Sequence, residues 1–185
     1  MAAGGYKIRD QSGIHFITFA VVGWVDVFTK EQYRTILVES LQYCQEHKGL
    51  QIYGWCIMSN HVHLIVQTAE QNLSAVLRDF KKFTAYKIIH AIQSNPLERR
   101  KTWMLAIFKK EGDTNSRNIH YQFWCQDNHP KILFNSIFSH QKLHYIHQNP
   151  VAAGIVRHAE DYWYSSARDY YEGRNIGLLS IQFFT

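Results

Sequence analysis

Two apolar runs rich in β-branched and aromatic residues, LQIYGWCIM (50–58) and HVHLIV (61–66), are separated only by Ser59 and Asn60. A two-residue connection between such runs makes an antiparallel hairpin, so this stretch must supply two neighbouring strands of one sheet. Successive side chains of a strand point to opposite faces. His61 and His63 therefore share one face, with Val62 and Leu64 on the other. A solvated sheet face accommodates two imidazoles without further consequence. The alternative is a metal site, because neutral imidazole is a common ligand and two on one face can share a divalent ion. Two ligands leave a site incomplete, so this second reading requires partners elsewhere in the chain.

GIHFITFAVVG (13–23) reads as another strand. Residues 29–49 carry a helical period through Ile36, Leu37, Leu41 and Cys44, with Thr29 placed to cap the start and Gly49 to end it. Residues 72–95, stopped by Pro96, form a long helix whose apolar face includes Leu73, Val76, Leu77 and Phe80. Residues 97–111 continue as helix, EGDTNSRN as a loop, and YQFWCQD and PKILF as short strands or an extended connection. Residues 135–149 are helical up to Pro150, since proline disfavours helical geometry at the residue before it. The order β-α-β-β-α-…-β-α predicts an α+β fold, a ferredoxin-like antiparallel sheet with helices on one face. No linker or repeat interrupts it, so a single domain over 1–185 is expected, with an irregular C-terminal extension from about residue 151.

Composition narrows the partners. The chain carries a net charge of +5, and 15% of its residues are aromatic. Cations meet phosphates and ring faces stack on bases, which suits a nucleic acid. On the helix 72–95, Arg78, Lys81 and Lys82 form either a phosphate-gripping group or a solvated basic face. No apolar stretch is long enough to cross a membrane. Cys44, Cys56 and Cys125 match neither a disulfide framework nor a zinc knuckle. The start, MAAGGYKIRD, lacks the apolar segment of a signal peptide, so a cytoplasmic location is expected.

HYIHQNP (144–150) is the second unusual stretch. Residues four apart share a helix face, so Tyr145 stands over Asn149, with Gln148 at three residues' spacing and Gln141 one turn earlier. A partly buried tyrosine with an asparagine ending the helix is one reading. The other joins this helix to the histidine strand. Asn149 or Gln148 offers an oxygen ligand, hard cations such as Mg²⁺ or Mn²⁺ accept it, and a tyrosine hydroxyl beside such an ion is placed to attack phosphorus. His144 and His147 point to other faces than Tyr145, so no general base is obvious.

MSNHVHLIV followed later by YIHQNPVAAGIV resembles the HUH single-tyrosine transposases, the IS200-like group and its REP-associated relatives, over about residues 13–165. FWCQDNHPKILF is similar to that family's aromatic–glutamine segment. The resemblance implies an HUH endonuclease fold, His61 and His63 as metal ligands, Asn149 as the third ligand (Gln148 being the alternative) and Tyr145 as nucleophile. It also implies a Mg²⁺ or Mn²⁺ cofactor, single-stranded or hairpin DNA as partner, and a monomer or homodimer. The implied activity is a DNA-strand transesterase, a transposase that cleaves and rejoins strands through a 5′-phosphotyrosine. A non-catalytic nucleic-acid-binding module of ferredoxin-like fold is the alternative, but it leaves the paired histidines and the helical tyrosine without a role. A water-activating metal hydrolase needs a carboxylate near the histidines, and the flanking residues supply none.

Overall fold

The computed structural model describes residues 8–114, 120–126 and 128–184. Residues His15–Ala20 (β1), Leu50–Ile57 (β2), His61–Thr68 (β3) and the two-residue Lys131–Ile132 (β4) form an antiparallel sheet in the order β2-β3-β1-β4. The expected hairpin is present: Cys56 pairs with His63 and Trp55 with Leu64. Across the other side of β3, Thr18 faces His63 and Ala20 faces His61. The histidine strand is thus interior, paired on both edges. Of the expected short strands, YQFWCQD (its last residue, Asp127, lying outside the described residues) contributes only a bridge between Trp124 and Val21, and PKILF only β4.

Helices Glu31–Lys48 (α1) and Leu73–Ser94 (α2) match their expected spans closely. Helix α1 ends where Gly49 adopts φ 62°, a left-handed value that glycine takes without steric cost. Thr29 does not cap its start. The hydroxyl donates to the Asp26 carbonyl within a tight turn at 3.2 Å, and Lys30 precedes the helix without a side-chain cap. The third helix, Lys101–Asp113 (α3), starts later than expected. The intervening turn is held by Glu98, a buried carboxylate that accepts from the Tyr33 hydroxyl at 3.0 Å and pairs with Lys30 and Arg100. Part of the EGDTNSRN loop belongs to α3, and residues 115–118 of it lie outside the described residues.

Helix Ser136–Ala152 (α4) passes through Pro150 instead of stopping before it. Proline removes one backbone donor, but its φ is compatible with a helix. The ladder resumes with Ala153 N–H on the Asn149 carbonyl and Ile155 N–H on the Pro150 carbonyl, each at 2.9 Å. Beyond it the chain forms a short helix, Ala167–Glu172 (α5), and runs beside β2, where Ile57 N–H donates to the Tyr164 carbonyl.

The α+β class and the antiparallel sheet are as expected, but the helices are not confined to one face. Phe19 of β1 packs against Phe80 of α2, while Phe16, three residues earlier, meets Tyr145 of α4. Residues an odd number apart in a strand face opposite ways, so α2 and α4 cover opposite sides. The cause is in β3, where five consecutive residues, Val62–Val66, are buried. A strand buried on both faces needs a layer on each.

A bulge at Tyr53, between the pairs Ile52–Val66 and Gly54–Ile65, lets α4 approach the sheet. A Cβ on Gly54 would lie 2.7 Å from Leu143 Cδ1 of α4. A side chain here would force Leu143 to move. Gly54→Val is therefore expected to lower stability by about 1–3 kcal/mol through overpacking, measured by denaturant titration. Unchanged stability would show that α4 does not dock there.

Candidate active site

Three elements converge on the face of the sheet covered by α4. Strand β3 brings His61 and His63 together, ring centroids 4.7 Å apart. Strand β1 supplies Phe16, stacked on His63 at 5.6 Å. Helix α4 places Tyr145 edge-on to His63 at 5.4 Å, with its ring 49% exposed. The tyrosine hydroxyl has no hydrogen-bond partner among the described residues. The two histidines and the tyrosine, more than eighty residues apart in sequence, thus meet within one chain.

The hydrogen bonds of the histidines assign their free nitrogens. The Asn60 amide donates to the Asp26 carboxylate at 3.0 Å and to the Trp24 carbonyl at 3.3 Å. Its oxygen therefore faces His61 Nδ1, at 2.7 Å, and can only accept. His61 must donate from Nδ1, and when neutral it presents a bare Nε2. His63 Nδ1 lies 2.9 Å from the Thr18 hydroxyl. His63 Nε2 is buried with no partner at all. Leaving a buried polar atom unpaired costs about 1–3 kcal/mol, so such an atom marks a place where a ligand fits. Burial, with the charges of His61 and Lys142 behind it, pushes the His63 pKa down to about 3, and burial also lowers that of His61. Both imidazoles are held neutral, the form that ligates metal.

No group of three or more His, Cys, Asp or Glu that could hold a metal occurs among the described residues. A third protein ligand would have to be an amide oxygen. Asn149 donates from Nδ2 to the Tyr145 carbonyl at 2.7 Å, which leaves its oxygen to accept. Gln148 is partly exposed beside it.

Lys142 was not anticipated. It sits three residues before Tyr145, so helical spacing could have revealed it. Its Nζ lies 5.5 Å from the Tyr145 ring centre and 5.2 Å from that of Phe16. It makes no ion pair among the described residues, and burial lowers its pKa. A partly desolvated cation beside a tyrosine and two neutral imidazoles leaves an electropositive site without an anion. Thr18 and Asn60, which orient the histidines, were also missed. Asn60 adjoins the motif, but Thr18 is forty-five residues from His63 and left no local signal.

Other candidates lie elsewhere. Arg78, Lys81 and Lys82 are on α2, across the sheet from Tyr145. Lys81 donates to the Cys125 carbonyl at 2.8 Å and to Asn128 Oδ1 at 2.6 Å, and Arg78 pairs with Asp79. These three residues line a separate groove of about 1160 Å³ with Tyr86 and Tyr121. His147 is buried against the Ser166 hydroxyl at 2.9 Å and faces away from the site. His15 is committed to the Gly13 carbonyl. Trp124 and Phe123 are core residues.

No described helix is long and apolar enough to cross a membrane. Among curated proteins none matches the chain. Among solved structures, a REP-associated tyrosine transposase bound to a REP hairpin shares its fold at TM-score 0.62. The two are 16% identical over 99% of this chain and 94% of that one. The family described as "Transposase IS200 like" matches residues 11–111, which run from β1 into α3 and include both histidines. That match spans more than half of the 185 residues, so the chain belongs to the IS200-like transposase family.

Proposed function

We propose that this chain is a metal-dependent single-stranded DNA transesterase that cleaves and rejoins strands through Tyr145. The observation that carries the reading is the buried, partnerless Nε2 of His63, next to His61 and in ring contact with a half-exposed tyrosine whose hydroxyl is unengaged. The half-exposed ring leaves the hydroxyl open to a ligand approaching from solvent. The donor set, two neutral imidazoles with an amide oxygen from Asn149 or Gln148, suits a Mg²⁺ or Mn²⁺ ion. Such an ion, when bound, neutralises charge on the non-bridging oxygens of a phosphodiester.

The residues of the chain do the rest. The Tyr145 oxygen attacks phosphorus and forms the P–O bond of a 5′-phosphotyrosine. The bond to the 3′ oxygen breaks, the phenol proton passes to water at the exposed ring edge, and the leaving 3′ oxygen takes up a proton from water to become a 3′ hydroxyl. A second 3′ hydroxyl then attacks the phosphotyrosine and releases Tyr145. The ester energy is conserved in the covalent link, so no nucleotide is consumed. Lys142 supplies a positive charge to the scissile phosphate from the tyrosine side. Hairpin or single-stranded DNA is the partner this reading requires, and the REP hairpin held by the structural relative supports it.

Incubation with single-stranded oligonucleotides and Mn²⁺, followed by denaturing electrophoresis, tests the reading. A protein–DNA species that survives denaturation is expected. Its absence across hairpin and unstructured substrates would remove the assignment. DNA affinity should also depend on salt. If about five cations contact phosphates, log K should fall against log salt with a slope of roughly −3.5. Lys142→Ala should then reduce the steepness by about 0.7, and an unchanged slope would place Lys142 away from the phosphates.

A further inference from the structure

Trp24 meets the histidine pair at His61, whereas Tyr145 meets it at His63. Its ring meets His61 edge-on, centroids 6.0 Å apart, and it is 62% exposed. A single exposed tryptophan calls for no explanation by itself. This one has a strained backbone: Gly23 and Trp24 take φ 63° and 52° in succession. Glycine adopts such values freely, but for a bulky residue they are a genuine outlier.

The surrounding loop is tied down at many points. Val21 N–H donates to the Asn60 carbonyl and Phe28 N–H to the Ser59 carbonyl. Asn60 donates to the Trp24 carbonyl and to Asp26, and Arg100 donates to the Asp26 carbonyl at 2.7 Å. The backbone is over-determined while the indole is left in solvent, which is how strain is kept at a functional position. A Cβ on Gly23 would lie 3.0 Å from the Ile107 side chain of α3, so the residue before Trp24 is held to glycine by space as well as by its positive φ.

Resting on the reading of the site above, we infer that Trp24 is a stacking platform for a nucleobase next to the scissile phosphate. The rings form a continuous row, Trp24, His61, His63 and Tyr145, with Lys142 beyond the tyrosine. A strand laid along it would set one base on the indole and its phosphate over the histidines. The indole face is sequence-tolerant, because every base has a π-face. Trp24 is thus a positioning residue for single-stranded DNA, and it orients the strand that Tyr145 attacks.

The test uses the full chain and oligothymidylate in which one base is replaced by photoreactive 5-iodouracil. Trp24→Ala should weaken equilibrium binding to this single strand roughly tenfold, the loss of one stacked base, while Trp24→Phe stays within about threefold. Irradiation should cross-link the wild type through a peptide containing Trp24, and thermal denaturation should show both variants folded. Binding by Trp24→Ala within about twofold of the wild type, or a cross-link confined to other peptides, overturns the inference. The fate of the active-site reading is separate. A Tyr145 adduct that forms normally while Trp24→Ala binds normally would leave that reading standing and remove only the platform.

Discussion

Tyr145→Phe is expected to abolish the covalent protein–DNA species while leaving the protein as stable as before. Phenylalanine offers no oxygen to bond phosphorus, so the loss should be complete. The Tyr145 hydroxyl makes no hydrogen bond among the described residues, and the ring contacts to Phe16 and His63 survive the change. Stability should therefore stay within about 0.5 kcal/mol of wild type. A structural tyrosine would behave in the opposite way: its loss would cost about 1 kcal/mol for one hydrogen bond and leave cleavage intact. DNA affinity should be retained, since Lys142 and the exposed face of the site are untouched. Binding and denaturation curves measured beside the cleavage assay separate the two cases.

His63→Leu is expected to fail differently. It replaces a buried imidazole carrying a partnerless nitrogen with an apolar group of similar bulk. The penalty for that nitrogen, about 1–3 kcal/mol, disappears, offset by the loss of the Thr18 contact. Metal-free stability should thus be close to or above that of wild type, an uncommon result for a buried substitution. The metal response should change sharply. Mn²⁺ at about one hundred times its dissociation constant should stabilise wild type by about 2.7 kcal/mol and raise its melting temperature by roughly 5–11 °C. The variant should show no such rise and should lose cleavage. An equal rise in both proteins would place the ion elsewhere.

Local features were legible in the sequence because their causes are local. Two residues between apolar runs dictate the β2–β3 hairpin, and period-2 alternation puts His61 beside His63. Gly49 ends α1 because a left-handed residue is needed there. Tyr145 and Asn149 share a face by helical spacing alone. What was not legible depends on contacts across the sequence. The position of α4 rests on the bulge at Tyr53 and the bare Cα of Gly54 under Leu143. No periodicity announces either, although the buried run Val62–Val66 does ask for a second helical layer. The basic helix suits either a phosphate grip or a solvated face from sequence alone, and the bonds of Lys81 to the Cys125 carbonyl and Asn128 depend on a distant extended segment. The cation beside the tyrosine, Lys142, lies one turn before it on α4, off the polar stripe of Gln141, Tyr145 and Asn149. Pro150 lies inside α4 at the loss of one backbone donor, and the ladder continues past it with Ala153 N–H on the Asn149 carbonyl.

The central claim is that Tyr145 itself bonds to the DNA. Cleavage of a single-stranded oligonucleotide in Mn²⁺, followed by proteolysis and peptide mass spectrometry, tests it most directly. The account predicts a nucleotide adduct through a 5′ phosphate on the peptide containing Tyr145, absent from Tyr145→Phe. An adduct on a different tyrosine, such as Tyr86 or Tyr121 in the groove across the sheet, or cleavage with no adduct at any residue, would contradict it.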